Sequence, residues 1–231
     1  TELWKNIIPD NKQILSIDKT SDNGCIVIIE KNYDENSIIR YDSSGIPLYE
    51  KILDFSAQAI MEYSNGEYII VGSKESISIP IDEYNSIRTY DGILIKYKEN
   101  DNKNDCEVIF ESKITGNVVY LNTLAKTEDG GIVAGGYLSN FTDTNFGNGI
   151  IINPNSEINM RQFRGVIAKY NSNGIAEDAI VTDIPIRKIE STSDGGYIVL
   201  ENSNILASTS IVKFNKMNIE EWSKYDKDTC I

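Results

Sequence analysis

The chain carries 35 acidic and 22 basic side chains and no histidine, and this decides what chemistry it can attempt. Without imidazole there is no ordinary near-neutral base and no nitrogen ligand for a mixed zinc site. Cys25, Cys106 and Cys230 lie far apart with no CxxC pair, so they read as isolated thiols, Cys25 serving as a small hydrophobe in a strand. Carboxylates remain. A glycan-cleaving enzyme needs two of them about 5 to 10 Å apart across a sugar, and Asp82, Glu83, Asp91 and Asp143 fall in two long stretches where such a pair has room to form. "DTNFGNG" at 143–149 places oxygen-bearing side chains ahead of glycines, so calcium near Asp143 and Asn145 is the one cofactor the spacing admits; the closing glutamate of an EF-hand is missing. "ENDNKND" at 99–105 reads as a solvated hairpin tip.

The net charge of −13 is spread along the sequence, which opposes a phosphate backbone and excludes nucleic acid as a partner. No apolar run is long enough to insert in a membrane, and neither end has a basic region leading into an apolar core.

The elements that must position any site come from a repeat. "TSDNGCIVI", "YSNGEYIIV", "TEDGGIVAG" and "TSDGGYIVL" share a turn residue at Asp22, Asn65, Asp129 and Asp194, spaced by 43, 64 and 65 positions. Asp-Gly and Asn-Gly between apolar runs signal hairpins with two-residue primed turns. The acids in these turns are expected to serve turn geometry rather than bind metal. Before each turn stands a strand A ("ILSI", "AQAI", "LNTL", "IRKI") and after it a strand B ("CIVII", "YIIVG", "GIVAGGY", "YIVL"). Strand C follows ("SIIRYD", "GILIKY", "GVIAKY", "SIVKF"), and strand D closes each unit after a second turn ("PLYEKI", "EVIFES", "AEDAIV", "IEEWSKY"). Four-stranded antiparallel units in tandem predict an all-β fold, a β-propeller of about four blades at 14–53, 57–113, 121–182 and 186–226. Its core is expected to include Ile26, Ile28, Ile69, Val71, Val133, Ile198 and Leu200.

The string "DGGYIV" at Asp194–Val199, the pattern Gly165–Tyr170 with Gly174, Gly92–Tyr97 and the strand bearing Trp222 resemble a widespread group of bacterial propeller repeats. The resemblance implies a surface or secreted protein, often a module of an adhesin or lectin-like protein, and it implies no catalytic residues. Residues 1–8 resemble the outer strand of one more blade, with Trp4 in the place of Trp222, so a segment of a larger ring, or self-assembly through open blade faces, is expected.

Two units break the pattern by long insertions between strands B and C, at 73–91 and 137–164, which a propeller would place side by side on one face. The first carries Tyr84, Arg88, Tyr90 and Asp91; the second carries Phe141, Asp143, Asn145, Phe146, Arg161 and Phe163. Aromatic and polar residues of these types contact sugars and proteins. The function expected is therefore a non-catalytic extracellular or cell-surface module binding a glycan or a protein there, against the alternative of a carboxylate-based hydrolase or lyase acting on glycans. "IIINPNSEI" from 150 predicts a small extra hairpin turning at Asn-Pro-Asn.

Overall fold

The structure, a computed structural model, describes residues 4–5, 12–32, 35–80, 86–116, 118–139, 143–152, 163–203 and 208–226. All regular elements among them are strands, and no helix there is long and apolar enough to cross a membrane.

Four antiparallel meanders follow one another. Unit 1 comprises β1 (Gln13–Lys19), β2 (Cys25–Asn32), β3 (Glu35–Tyr41) and β4 (Pro47–Leu53). Unit 2 comprises β5 (Ser56–Ser64), β6 (Glu67–Pro80), β7 (Ser86–Glu99) and β8 (Cys106–Ile114). In unit 3, β9 (Val118–Lys126) and β10 (Ile132–Ser139) are followed by an inserted hairpin, β11 (Thr144–Gly147) and β12 (Ile150–Ile152), before β13 (Phe163–Tyr170) and β14 (Ala176–Thr182) complete the sheet. Unit 4 comprises β15 (Ile186–Ser191), β16 (Tyr197–Ser203), β17 (Ser208–Phe214) and β18 (Glu220–Asp226). A single parallel bridge, Tyr90 to Val118, joins the sheets of units 2 and 3. All sixteen strands read from the repeat are present.

Three of the first turns differ from the two-residue form, whereas in unit 2 only Asn65 and Gly66 separate the paired Ser64 and Glu67. In units 1, 3 and 4 three residues close the hairpin: Thr20 donates its amide to the Gly24 carbonyl and accepts from the Asn23 amide, and only Asn23, with φ of 66°, is left-handed. That is a type I turn with one left-handed residue after it. Asp22, Asp129 and Asp194 complete it by accepting from the threonine two residues before and the glycine amide two residues after.

These turn residues also hold the sheet. The basic residue before the last aromatic of each third strand reaches across the second strand to an acid at its hairpin: Arg40 to Asp22, Lys96 to Glu67 at 2.7 Å, Lys169 to Asp129 at 3.5 Å and Lys213 to Asp194 at 2.9 Å. Burial pushes the Asp22 carboxyl up, but Arg40, Lys103 and Thr20 outweigh it and hold it well below the usual carboxylate range.

Units pack face to face through three apolar clusters. Ile26, Ile28 and Ile38 of unit 1 meet Tyr68, Ile70 and Ile95 of unit 2. Ile69, Val71 and Leu94 of unit 2 meet Ile132, Ala134 and Val166 of unit 3, and Val133 and Ile167 of unit 3 meet Tyr197, Val199 and Val212 of unit 4. Side chains of one inner strand cap amides of the next: Ser16 accepts from the Ile60 amide, Asp18 from Glu62, and Thr123 from Ile189. The four inner strands β1, β5, β9 and β15 together line one cavity of about 450 Å³. Ile26, Ile28, Ile69, Val71 and Val133 are fully buried, whereas Ile198 is half-buried and Leu200 is 37% exposed. Ile198 and Leu200 alternate with Tyr197 and Val199 along β16, so they lie on the face opposite the one that packs on unit 3.

At the rim, each outer strand touches the second turn of the next unit. The Phe110 ring lies so close over Gly174, at φ of 76°, that a Cβ there would meet it at 2.3 Å, and Asp178 accepts from Asn218 at 2.7 Å. Trp4 occupies the same kind of seat over Gly45 and stacks on Tyr41, while Trp222, opposite Lys213 on β18, is 44% exposed. The remaining residues of the expected outer strand at 1–8 lie outside those described, apart from Lys5.

Candidate functional site

The two insertions do share one face. Lys74 at the base of the first pairs with Asp54 in the link from unit 1 to unit 2, and Asn145 in the second forms a bridge with Thr115 in the link from unit 2 to unit 3. The insertion of one unit thus lies over the link from the unit before it.

The structure brings together a row of four aromatic rings at the base of both insertions. Tyr90 on β7 lies 5.3 Å from Tyr120 on β9, Tyr120 stacks at 5.0 Å on Tyr137 of β10, and Phe163 at the start of β13 meets Tyr137 edge to face at 5.3 Å. Register explains the row. Tyr120 and Tyr137 are direct cross-strand partners, Phe163 lies diagonal to Tyr137 beyond Gly165, and the Tyr90 bridge delivers the neighbouring sheet. Charged groups flank it: Arg88 pairs with Glu75 at 3.6 Å, and Arg187 stands near Tyr137. Burial pushes the Tyr120 phenol up to about 12, with Tyr90, Tyr137 and Glu75 adding to the effect. Burial also raises Tyr137, against the pull of Arg187. Beside Tyr90 a pocket of about 240 Å³ is lined by Asp54, Phe55, Ser56, Ser73, Lys74 and Glu75.

Of the expected contact residues, Tyr90, Arg88 and Phe163 belong to this region, and Asp91 follows Tyr90 on β7. Tyr84, Phe141 and Arg161 lie outside the described residues, as do Asp82 and Glu83. Phe146 is a correction: it is 1% exposed, packed in the cluster between units 2 and 3, with Ile150 and Ile152 against the same core. An inserted hairpin turns at Asn148-Gly149, and Asn148 fastens it to the Ala176 carbonyl at 2.9 Å, while the turn expected at Asn153-Pro154-Asn155 lies outside the described residues. The Asn145 side-chain oxygen accepts from the Gly147 amide, and Asp143 is exposed. Among the described residues no group of three acids or cysteines is placed to hold a metal ion. Tyr120 and Tyr137 escape sequence reasoning because they sit inside regular strands. The signal that would have found them is a pair of tyrosines nine residues before and eight after Asp129, which the register shift at Gly135 and Gly136 brings opposite each other.

No protein-family model matches the chain, and no curated protein matches it. Among solved structures a glucose dehydrogenase chain is similar over 89% of this chain and 99% of its own, at 7% identity and a TM-score of 0.24. A likeness of that size carries nothing about fold or activity here.

Proposed function

We propose that the four units are consecutive blades of a β-propeller arc, and that the chain is a non-catalytic recognition module of the cell surface or extracellular space. Its ligand is an extended glycan, with a protein segment as the second candidate. The observation that carries this reading is the aromatic row Tyr90, Tyr120, Tyr137 and Phe163 at the base of two adjacent insertions. Aromatic rings supply large apolar contact with little side-chain entropy to lose, and the flanking Glu75, Arg88 and Arg187 supply orientation. The propeller reading is supported by inner strands gathered around one cavity and by face-to-face packing of successive sheets.

The test is a glycan array and a protein array probed with the intact chain and with a Tyr120→Ala/Tyr137→Ala variant. Binding by the intact chain that falls at least about tenfold in a folded variant supports the row. Equal binding by the variant, or none by the intact chain, removes it.

A further inference from the structure

Seven residues after the turn acid, the second strand carries Ile29 in unit 1 and Gly136 in unit 3, but Glu201 in unit 4. This carboxyl is only 5% exposed, and its described hydrogen-bond partners are hydroxyls: Ser210 donates to it, and Thr182 of unit 3 lies within reach. No cation pairs with it among the described residues. Burial pushes it above the ordinary carboxylate range, with Ser210 and Thr182 opposing. A few residues away Arg164 pairs through its terminal nitrogen with Asp183 at 3.1 Å, while its Nε is buried without a hydrogen-bond partner among the described residues. Both groups line one cleft of about 550 Å³ between units 3 and 4.

At the contact of units 1 and 2 the buried charges, Arg40 and Glu99, pair with each other, so a buried acid without a cation and an Arg164 Nε without an acceptor beside one cavity are a local departure of the kind that marks a site rather than a scaffold. We propose that this cleft is a second binding site, distinct from the aromatic row, for a single neutral pyranose. The lining selects the ligand class. Asp183, Glu201 and Glu220 repel an anion, and the open donor at Arg164 Nε calls for an acceptor, which a simple cation lacks. Val212, Phe214 and Ile180 offer an apolar wall, and Thr182, Asn218 and Tyr225 offer hydrogen bonds around it. An uncharged molecule with one apolar face and a rim of hydroxyls satisfies all of these at once: a hydroxyl oxygen accepts from Arg164 Nε, and a hydroxyl hydrogen goes to Glu201. The volume lies within the range of small-molecule pockets.

Ligand-observed saturation-transfer NMR with the intact chain and the methyl pyranosides of glucose, galactose, mannose and N-acetylglucosamine, each at about 10 mM, tests this. At least one is expected to bind with a Kd on the order of 1 mM, and to lose about tenfold or more with Glu201→Ala and with Arg164→Met. The Tyr120→Ala/Tyr137→Ala variant is expected to bind it unchanged, which separates this site from the row. Circular dichroism confirms that each variant is folded, and the more conservative Glu201→Gln serves where Glu201→Ala is not. No binding of any pyranoside, or binding that survives in folded variants at both positions, overturns the proposal.

Discussion

The contact between units 1 and 2 and the contact between units 3 and 4 are built on the same strands at the same register, yet they treat buried charge in opposite ways. In the first, Arg40 is 1% exposed and fully employed: Nε donates to Tyr68 and to Glu99 at 3.1 Å, and the terminal nitrogens reach Asp22 and the backbone carbonyl of Tyr41. Glu99 accepts in addition from Tyr49 at 3.2 Å and Tyr68 at 2.9 Å. Burial raises the pKa of Tyr49 and Tyr68 far beyond any working pH, so both remain donors. In the second contact the acid has only hydroxyls and the guanidinium keeps an idle donor. A buried charge network that is complete fixes one packing, and an incomplete one leaves room for something else.

The two contacts differ most in what an aspartate costs at the same position of the repeat. Ile28→Asp, at a position sealed between units 1 and 2, is expected to prevent folding, because it leaves an unpaired charge in an apolar contact. Leu200→Asp changes the equivalent residue in unit 4 and is expected to cost no more than about 1 kcal/mol. Urea denaturation followed by circular dichroism distinguishes the two, and equal losses would mean that the outer face of unit 4 is covered.

Next in size is the charge network. Arg40→Met strands Glu99 without its cation and is expected to cost about 3–5 kcal/mol, much of it recovered in the double variant with Glu99→Gln. A double variant no better than the single would show that packing around the Arg40 stem, not charge, sets the loss.

A smaller effect is expected at Glu201, and it has the opposite sign. A carboxyl whose folded pKa is raised holds its proton after the unfolded chain has lost it, so stability declines as pH climbs from the ordinary glutamate value through the folded one, and the penalty is fully present above that. Glu201→Gln should therefore match the wild type near pH 4 and be the more stable protein at pH 7. Parallel stability curves would contradict the burial argument.

The smallest is expected at the hairpins. Thr192, Lys213 and the Gly196 amide hold the Asp194 carboxyl well below its usual range, so its contribution is present at neutral pH and disappears as pH falls through that low value. Asp194→Asn should lower stability slightly at neutral pH and flatten the acid limb, so that urea denaturation curves of the two proteins converge at low pH.

The strands were legible because period-two alternation and turn residues act locally, and all four units state them. The acid at each first hairpin was legible as a turn former, but its pairing with the third-strand cation was not, since that contact spans two strand registers. Phe146 misled for a related reason. An aromatic in a polar loop looks available, and only the fold-back of β11 and β12 shows that it plugs the core. Tyr137 falls in strand B and Tyr120 just ahead of strand A in the repeat, and nothing local separates a ring facing a core from a ring facing an open row. Glu201 is one residue in one unit, and its meaning lies in comparison with Ile29 and Gly136.

A stack in which each sheet touches only its neighbours behaves like a short one-dimensional chain of coupled switches, and its weakest members are those with a single coupling. Among the described packing clusters units 1 and 4 each meet one other unit, and unit 4 does so without the paired charges that tie Arg40 of unit 1 to Glu99 of unit 2. Amide hydrogens of β15 to β18 should therefore exchange through partial openings that leave β5 to β10 protected, so that the array frays from that end before it melts. Any molecule seated in the cleft beside Glu201 would bridge the last coupling and slow that fraying in proportion to its occupancy, turning exchange rates in unit 4 into a gauge of ligand.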